Sequence, residues 1–344
     1  MKKILVILVA LLVFDLALLF AGGGGAAGSR AARRRVALVF DVGGRGDKSF
    51  NDSAYGGLVR ARDELGVDIE YIEPAEGADR ESALRIFAAR GFDLVVGTGF
   101  IFTDDVVTVA QEYPQVRFAC IDYALKLDAA GRPLAPPPNV AALKFREEEG
   151  SFLVGAVAAL VSRTRKVGFV GGMDIPLIRR FEAGYRAGVA HVCPACALLV
   201  NYAGVTPVAF KDPGKGKELA LAQYRAGADV VFHASGTTGL GVFEAARLTG
   251  KLAIGVDSDQ EREAPGFVLT SMIKRVDNAV FRSVSDVLAG RFAGGVHSFG
   301  LAEQGVGYVY DEHNRALIPA AVRDRVEAIA RQIISGAIRV PTEP

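Results

Sequence analysis

Short apolar runs alternate with longer amphipathic stretches along most of the chain. The first run, residues 36–40, is typical of a strand buried on both faces. The stretch that follows places Phe50, Ala54 and Leu58 on one face of a helix. The same alternation recurs as far as residue 273, and repeated strand–helix units predict parallel sheets joined by right-handed crossovers. The pattern therefore predicts an α/β protein.

The remaining elements follow from the same periodicities. Further strands are predicted at residues 69–73, 93–97, 117–121, 140–145, 167–170, 197–203, 229–234, 252–256 and 267–273. Further helices are predicted at 80–90, 103–113, 147–163, in the stretch bearing Phe181, and at 214–226, 239–249, 277–288 and 319–334.

Two features divide this series into halves. Residues 127–139 contain four prolines and interrupt the alternation, which indicates a surface connection at a lobe boundary. The halves also begin alike, because Phe40-Asp41-Val42-Gly43-Gly44 precedes Phe50 much as Phe169-Val170-Gly171-Gly172 precedes Phe181. This short repeat predicts two similar α/β lobes that face each other, each offering a phenylalanine.

The first 35 residues are set apart by composition. Lys2 and Lys3 precede an apolar run that ends in a Gly/Ala-rich stretch, a pattern typical of a secretory signal peptide cleaved near Gly28. The arginines at 30 and 33–35 favour the alternative of an uncleaved anchor. We expect a periplasmic or otherwise extracytoplasmic protein, and no Cys follows the apolar run to carry a lipid.

Charge and cysteine content narrow the function classes. The chain of 344 residues has a formal net charge of +1, which gives no case for a nucleic-acid partner. The leading interpretation of Cys193 and Cys196 in an exported protein is a local disulfide. One alternative is a redox pair. The other is a zinc site with His191, which would lack a fourth ligand nearby. No resident metal and no cofactor are predicted.

The most informative stretch is the loop at residues 40–52, between the first strand and its helix. In open α/β sheets, ligands bind at this carboxyl edge, and an aromatic beside polar groups there suggests a flat polar ligand. Asp47 stands where a phosphate-binding loop requires glycine, and residues 97–102 lack the third glycine of a dinucleotide fingerprint. No Gly-x-Ser-x-Gly elbow occurs, so no enzyme is predicted.

Several motifs together carry a resemblance to a known family. They are Asp41-Val42-Gly43-Gly44 with Asp47-Lys48-Ser49-Phe50-Asn51, Asp122 at the end of its strand, Gly255-Val256-Asp257-Ser258-Asp259-Gln260, and Ser271-Met272-Ile273-Lys274. From about residue 36 to 341 the chain resembles the basic membrane protein family of ABC-transporter substrate-binding proteins, which includes purine nucleoside receptors. The resemblance implies a type I periplasmic-binding-protein fold, with two Rossmann-like lobes, parallel sheets and a hinged interlobe cleft. It implies lobe 1 at 36–139 plus about 274–300, and lobe 2 at 140–273 plus about 301–340.

The resemblance also implies roles for individual residues. Phe50 and Phe181 would stack on the two faces of a purine, and Asn51 and Asp122 would bond the edge of the base. Asp257, Lys274 and the Gly236 backbone would hold the ribose hydroxyls. The opening motif adds Asp41, Asp47 and Ser49 to the expected ligand-binding residues.

Simpler interpretations stay open for each of these residues. Phe50 could staple its helix to the core, Asp122 and Asp257 could cap turns, and Asp47 could serve as a helix N-terminal charge. Phe181, beside two arginines, could lie on an exposed helix face, and Lys274 could be a solvated charge.

The leading hypothesis is a non-enzymatic receptor that closes around a nucleoside and delivers it to an ABC permease. One alternative is the same fold binding a sugar or another small polar solute. The other is a ligand-responsive sensor or regulator.

Overall fold

The computed structural model describes residues 33–74 and 79–344. In chain order its strands are β1 Arg35–Val39, β2 Asp68–Ile72, β3 Leu94–Thr98, β4 Arg117–Ile121, β5 Val140–Phe145, β6 Lys166–Met173, β7 Ala197–Gly204, β8 Val230–Ala234, β9 Leu252–Asp257, β10 Val268–Lys274, β11 Gly295–Phe299 and β12 Val306–Tyr308. Its α-helices are α1 Phe50–Leu65, α2 Arg80–Ala89, α3 Thr103–Glu112, α4 Glu147–Val161, α5 Pro176–Val192, α6 Pro213–Arg225, α7 Gly239–Thr249, α8 Val276–Leu288 and α9 Ala320–Ile334.

The strands form two six-stranded sheets, one in each lobe. The first has the order β11-β5-β4-β3-β1-β2 and the second has the order β12-β10-β9-β8-β6-β7. Strand pairs are parallel throughout, except that β12 runs antiparallel to β10. β1 and β6, the strands of the sequence repeat, occupy equivalent places. The predicted two-lobed α/β fold is confirmed.

The strand at residues 140–145 differs from the expectation. It was predicted to open the second lobe, yet β5 pairs with β4 and with β11 in the first sheet. The chain leaves the first sheet only after Phe145, since α4 packs against α5, β10, β12 and α9 of the other lobe. The proline-rich stretch is therefore an excursion within the first lobe, and the crossing moves to residue 146. The other lobe boundaries stay a proposal.

Burial explains why the central strands form. Val36, Leu38 and Val39 of β1 have no exposed surface, because helices cover both faces of the sheet. Helix α1 buries Ala54, Leu58 and Ala61 against this sheet. It ends at Gly66, whose φ of 71° is left-handed and lets its N–H bond the carbonyl of Arg62.

Three crossovers join the lobes, between β5 and α4, between β10 and α8, and between β11 and β12. They are tied to one another. The Arg146 guanidinium donates to Glu303 at 2.8 Å, the Arg275 N–H donates to the Gly305 carbonyl at 2.8 Å, and the Lys274 ammonium lies 3.1 Å from Glu147 Oε1. This arrangement is a compact hinge.

Two other predictions concern the cysteine pair and the N-terminal segment. Cys193 and Cys196 form a disulfide just after α5. The signal peptide or anchor predicted within residues 1–35 lies almost entirely outside the described residues. Among the helices that the structure describes, none is long and apolar enough to cross a bilayer.

Candidate functional site

The carboxyl edges of the two sheets face each other and enclose a chamber between the lobes. The chamber is lined by nine of the ten residues that the sequence singled out, namely Asp41, Asp47, Phe50, Asn51, Asp122, Phe181, Gly236, Asp257 and Lys274. Ser49, the tenth, does not line it, but its hydroxyl donates to the Asp257 carboxylate. The fold thus brings together residues that are up to 233 positions apart in the sequence, from Asp41 to Lys274.

The loop before α1 organises the first wall of the chamber. One Asp47 oxygen accepts from the N–H groups of Ser49 at 2.9 Å and Asp52 at 3.1 Å, and the other accepts from Asn51 at 2.8 Å. These bonds satisfy N–H groups of the first helical turn, which makes Asp47 a helix-capping residue. The contacts of Asp47 therefore agree with its simpler interpretation as a charge at the helix N-terminus.

Asn51 links this cap to the end of β1. Its side-chain oxygen accepts from the Asp41 N–H at 3.1 Å and its amide nitrogen donates to Asp47 Oδ2 at 3.0 Å. Because both the oxygen and the nitrogen of the Asn51 amide are bonded, these contacts fix the direction of its remaining side-chain N–H.

Asp41 lies beneath this loop against the end of β3. Burial raises the pKa of Asp41 to about 7, against the opposing effect of the Val42 N–H, which donates to its carboxylate at 2.6 Å. Gly99 permits this position, because its φ of 104° is left-handed and a Cβ there would overlap Asp41 Oδ2. Asp41 is thus a carboxyl group that can carry a proton near neutral pH.

Lys274 is the cation of the site, at the last position of β10. It is 2% exposed, and its ammonium lies 2.7 Å from Asp122 Oδ2 and 3.1 Å from Glu147 Oε1. Burial alone would lower the pKa of Lys274, but Asp122, Glu147 and Asp257 raise it above its ordinary value. The ammonium is therefore charged, and it is not the solvated lysine of the simpler interpretation.

The two aspartates at strand ends have unusual backbones. Asp122 has a φ of 60° and Asp257 a φ of 66°, in the left-handed region that aspartate tolerates better than most residues. Asp122 Oδ1 is buried and has no hydrogen-bond partner. Burial raises the pKa of Asp257 to about 6, although Lys274 and the Ser49 hydroxyl act in the opposite direction.

Aromatic rings line the chamber from both lobes. The Lys274 ammonium lies 5.1 Å from the centroid of the Phe50 ring and 5.6 Å from that of Phe181. Phe181 is 3% exposed, so it does not lie on an exposed helix face. Phe50 also packs against the core, so its staple role and its place in the chamber coexist.

Sequence reasoning missed several residues of the site. Phe100 and Phe210 approach each other from opposite lobes, with ring centroids 6.5 Å apart, and Thr237 brings a buried hydroxyl that has no partner. Phe100 follows the end of β3, a position that could have identified it. Glu147 stands at the start of the helix predicted over 147–163 and was not among the expected site residues, yet burial raises its pKa to about 7 in spite of Lys274.

Three comparisons place the chain among known proteins. A family model described as the PnrA-like ABC transporter substrate-binding proteins matches residues 34–343. An uncharacterised lipoprotein of Pyrococcus abyssi is 38% identical, with 80% of this chain and 68% of that protein covered. The ABC transporter nucleoside-binding protein BmpA of Lactococcus lactis is 31% identical, with 90% of this chain and 89% of that protein covered.

A solved structure agrees with these relatives. It is a solute-binding protein of an ABC transporter system from Aeropyrum pernix, 34% identical, which superposes with a TM-score of 0.79. The match covers 90% of this chain and 93% of that one.

Proposed function

The chain belongs to the PnrA-like basic membrane protein family of ABC transporter substrate-binding proteins, and from this we propose that it binds a purine nucleoside. The family consists of binding proteins rather than enzymes. The ligand would occupy the chamber between the lobes and pass to a membrane permease. The protein would work outside the cytoplasm, as expected of a receptor that supplies an importer.

The pairing of aromatic and charged groups in one closed chamber is the observation that carries this proposal. Phe50 and Phe181 come from different lobes, and both rings lie near the Lys274 ammonium. Stacking on an aromatic side chain contributes about 1–3 kcal/mol per base. A planar base with a polar pentose matches such a site better than a sugar alone.

Each polar group has a role in this proposal. Asp257 would accept from ribose hydroxyls and Lys274 would donate to one, since both lie at the same wall of the chamber. The unpartnered Asp122 Oδ1 would accept an N–H from the base edge, beside the Asn51 amide. Ser49 and Asp47 would position these groups rather than touch the ligand.

Entry of the ligand requires the lobes to part. The chamber has a volume of about 70 Å³, whereas ligand pockets usually enclose about 300–1,000 Å³. Contacts between the lobes, such as Ser49 with Asp257 and the Gln260 amide with the Lys48 carbonyl at 3.1 Å, hold this closed arrangement. We propose that these contacts break as the hinge opens and form again around the ligand.

Calorimetric titration tests the proposal. Purified protein is titrated with inosine, guanosine, adenosine, ribose and free purine bases. Nucleosides should bind, and Phe50→Ala should weaken their binding at least tenfold, which is about 1.4 kcal/mol. The matched control is Phe281→Ala, which removes a ring that lies outside the chamber beneath the Arg60 guanidinium.

The alternatives predict different results. Binding of ribose without any response to nucleosides would overturn the nucleoside proposal in favour of a sugar receptor. N-terminal sequencing of the protein from its native envelope distinguishes a cleaved exported form from an anchored one.

A further inference from the structure

A groove opens directly off the chamber, and apart from Asp122 none of its lining residues takes part in the proposed nucleoside contacts. It runs between Leu125 and Lys144 of the first lobe and residues 175–180 of the second. It shares Phe100, Asp122 and Leu177 with the chamber. Its volume is about 380 Å³, against about 70 Å³ for the chamber. A ligand held in the chamber could therefore extend into it.

Lys144 gives the groove its chemical character. Its ammonium donates to the Tyr123 carbonyl at 2.8 Å, and among the described residues it forms no ion pair. Burial lowers the pKa of Lys144, an effect that Glu147 and Asp122 only partly offset. A half-buried ammonium whose partner is a neutral carbonyl retains donors for an anion.

The other charged residues that line the groove have partners outside it. Asp122 and Glu147 both face Lys274, and Arg180 of the second lobe donates to Glu148 at 3.1 Å. Arg180 still presents further N–H groups, because a guanidinium carries five. Lys144 and Arg180 thus stand on opposite lobes at one groove, and an anion between them would add contacts to both.

We propose that this groove is a second subsite, which accepts a negatively charged substituent carried by the nucleoside. The inference rests on the proposed nucleoside function and narrows it to nucleosides bearing a carboxylate or phosphate. The substituent would bond Lys144 from the first lobe and Arg180 from the second, so it would also favour closure.

The test compares ligands that differ only in this substituent. The ligands are adenosine, adenosine with a succinate on its exocyclic nitrogen, adenosine with an uncharged butyl group there, and adenosine 5′-monophosphate. They are titrated into the full-length wild type and into Lys144→Met. The control is Lys166→Met. The Lys166 ammonium also donates to a backbone carbonyl, that of Ala226, but Lys166 is the first residue of β6 and lies at the amino edge of the second sheet, away from the groove.

We expect at least one anionic ligand to bind about tenfold more tightly than adenosine, as a charge-assisted hydrogen bond would give. Lys144→Met should remove this preference while the affinity for adenosine is retained, and Lys166→Met should preserve both. Preference for the succinyl compound would place the subsite at the base edge, and preference for the monophosphate would place it at the ribose.

Two results would overturn the inference. One is that neither anionic ligand binds more tightly than adenosine. The other is that Lys144→Met weakens adenosine and the anionic ligands equally. If no nucleoside binds at all, the proposed function itself fails, so the two failures are distinguishable.

Discussion

Asp122 and Asp257 occupy matching places in the two lobes. Each stands at the carboxyl end of β4 or β9, which occupy the same position in their two sheets, and each has a left-handed backbone. They are 6% and 7% exposed, and both line the chamber. By position alone, the two carboxylates would be expected to behave alike.

Their partners make them different. Asp122 reaches across the cleft to Lys274 at 2.7 Å, so it is half of a buried ion pair. Asp257 belongs to the same lobe as Lys274 and accepts instead from the Ser49 hydroxyl of the other lobe. The comparison shows that the repeated backbone position places both carboxylates at the chamber. The charge state of each one depends on the side chains that lie near it, including those of the opposite lobe.

The largest expected effect comes from removing the cation that distinguishes them. Lys274→Met leaves Asp122 and Glu147 buried without their ammonium, and breaking a buried pair in this way costs about 3–5 kcal/mol. Urea denaturation at neutral pH should show this loss in the free energy of unfolding, and Lys166→Met should not. Adding Asp122→Asn to Lys274→Met should restore part of the stability. A Lys274→Met protein as stable as the wild type would contradict this account of the pair.

A smaller effect separates the aspartates directly. Asp122→Asn weakens a hydrogen bond between charged groups and should lower the free energy of unfolding by about 1.5–3 kcal/mol at neutral pH. Asp257→Asn should not destabilise the protein there, because the amide oxygen can still accept from Ser49. Asp259→Asn, at an exposed site, is the control. Equal losses for Asp122→Asn and Asp257→Asn would show that the two carboxylates are equivalent after all.

The smallest effect is a pH dependence at Asp257. Its pKa is raised from 3.8 to about 6, so the folded protein favours the protonated carboxyl and loses stability as the pH rises through this interval. An asparagine does not ionise. The stability of Asp257→Asn relative to the wild type should therefore increase by on the order of 2 kcal/mol between about pH 4 and pH 7.

Denaturation curves of both proteins at several pH values measure that difference. The raised pKa values of Asp41 and Glu147 affect both proteins alike and cancel. A difference that stays constant with pH would mean that Asp257 is ionised in the folded protein throughout the range.

The elements with strong local patterns were predictable. The strands at Arg117–Ile121 and Val140–Phe145 have the bounds that their apolar runs indicate. The edge strands β11 and β12 were missed, because the first is half-buried with alternating exposure and the second has three residues. β11 pairs with β5, about 150 positions earlier in the sequence, and a local pattern carries no sign of such a partner.

By itself, the sequence determined which side chains stand at the ends of strands, because hydrophobic periodicity marks the strands and the polar residue that follows each run is visible. It also determined the family, through motifs such as Asp47 to Asn51. Only the tertiary structure decided that Ser49 donates to Asp257, that Glu147 pairs with Lys274, and that β5 belongs to the first lobe. Those outcomes depend on burial and on groups far apart in the sequence, whose electrostatic interactions become strong only after folding removes them from water.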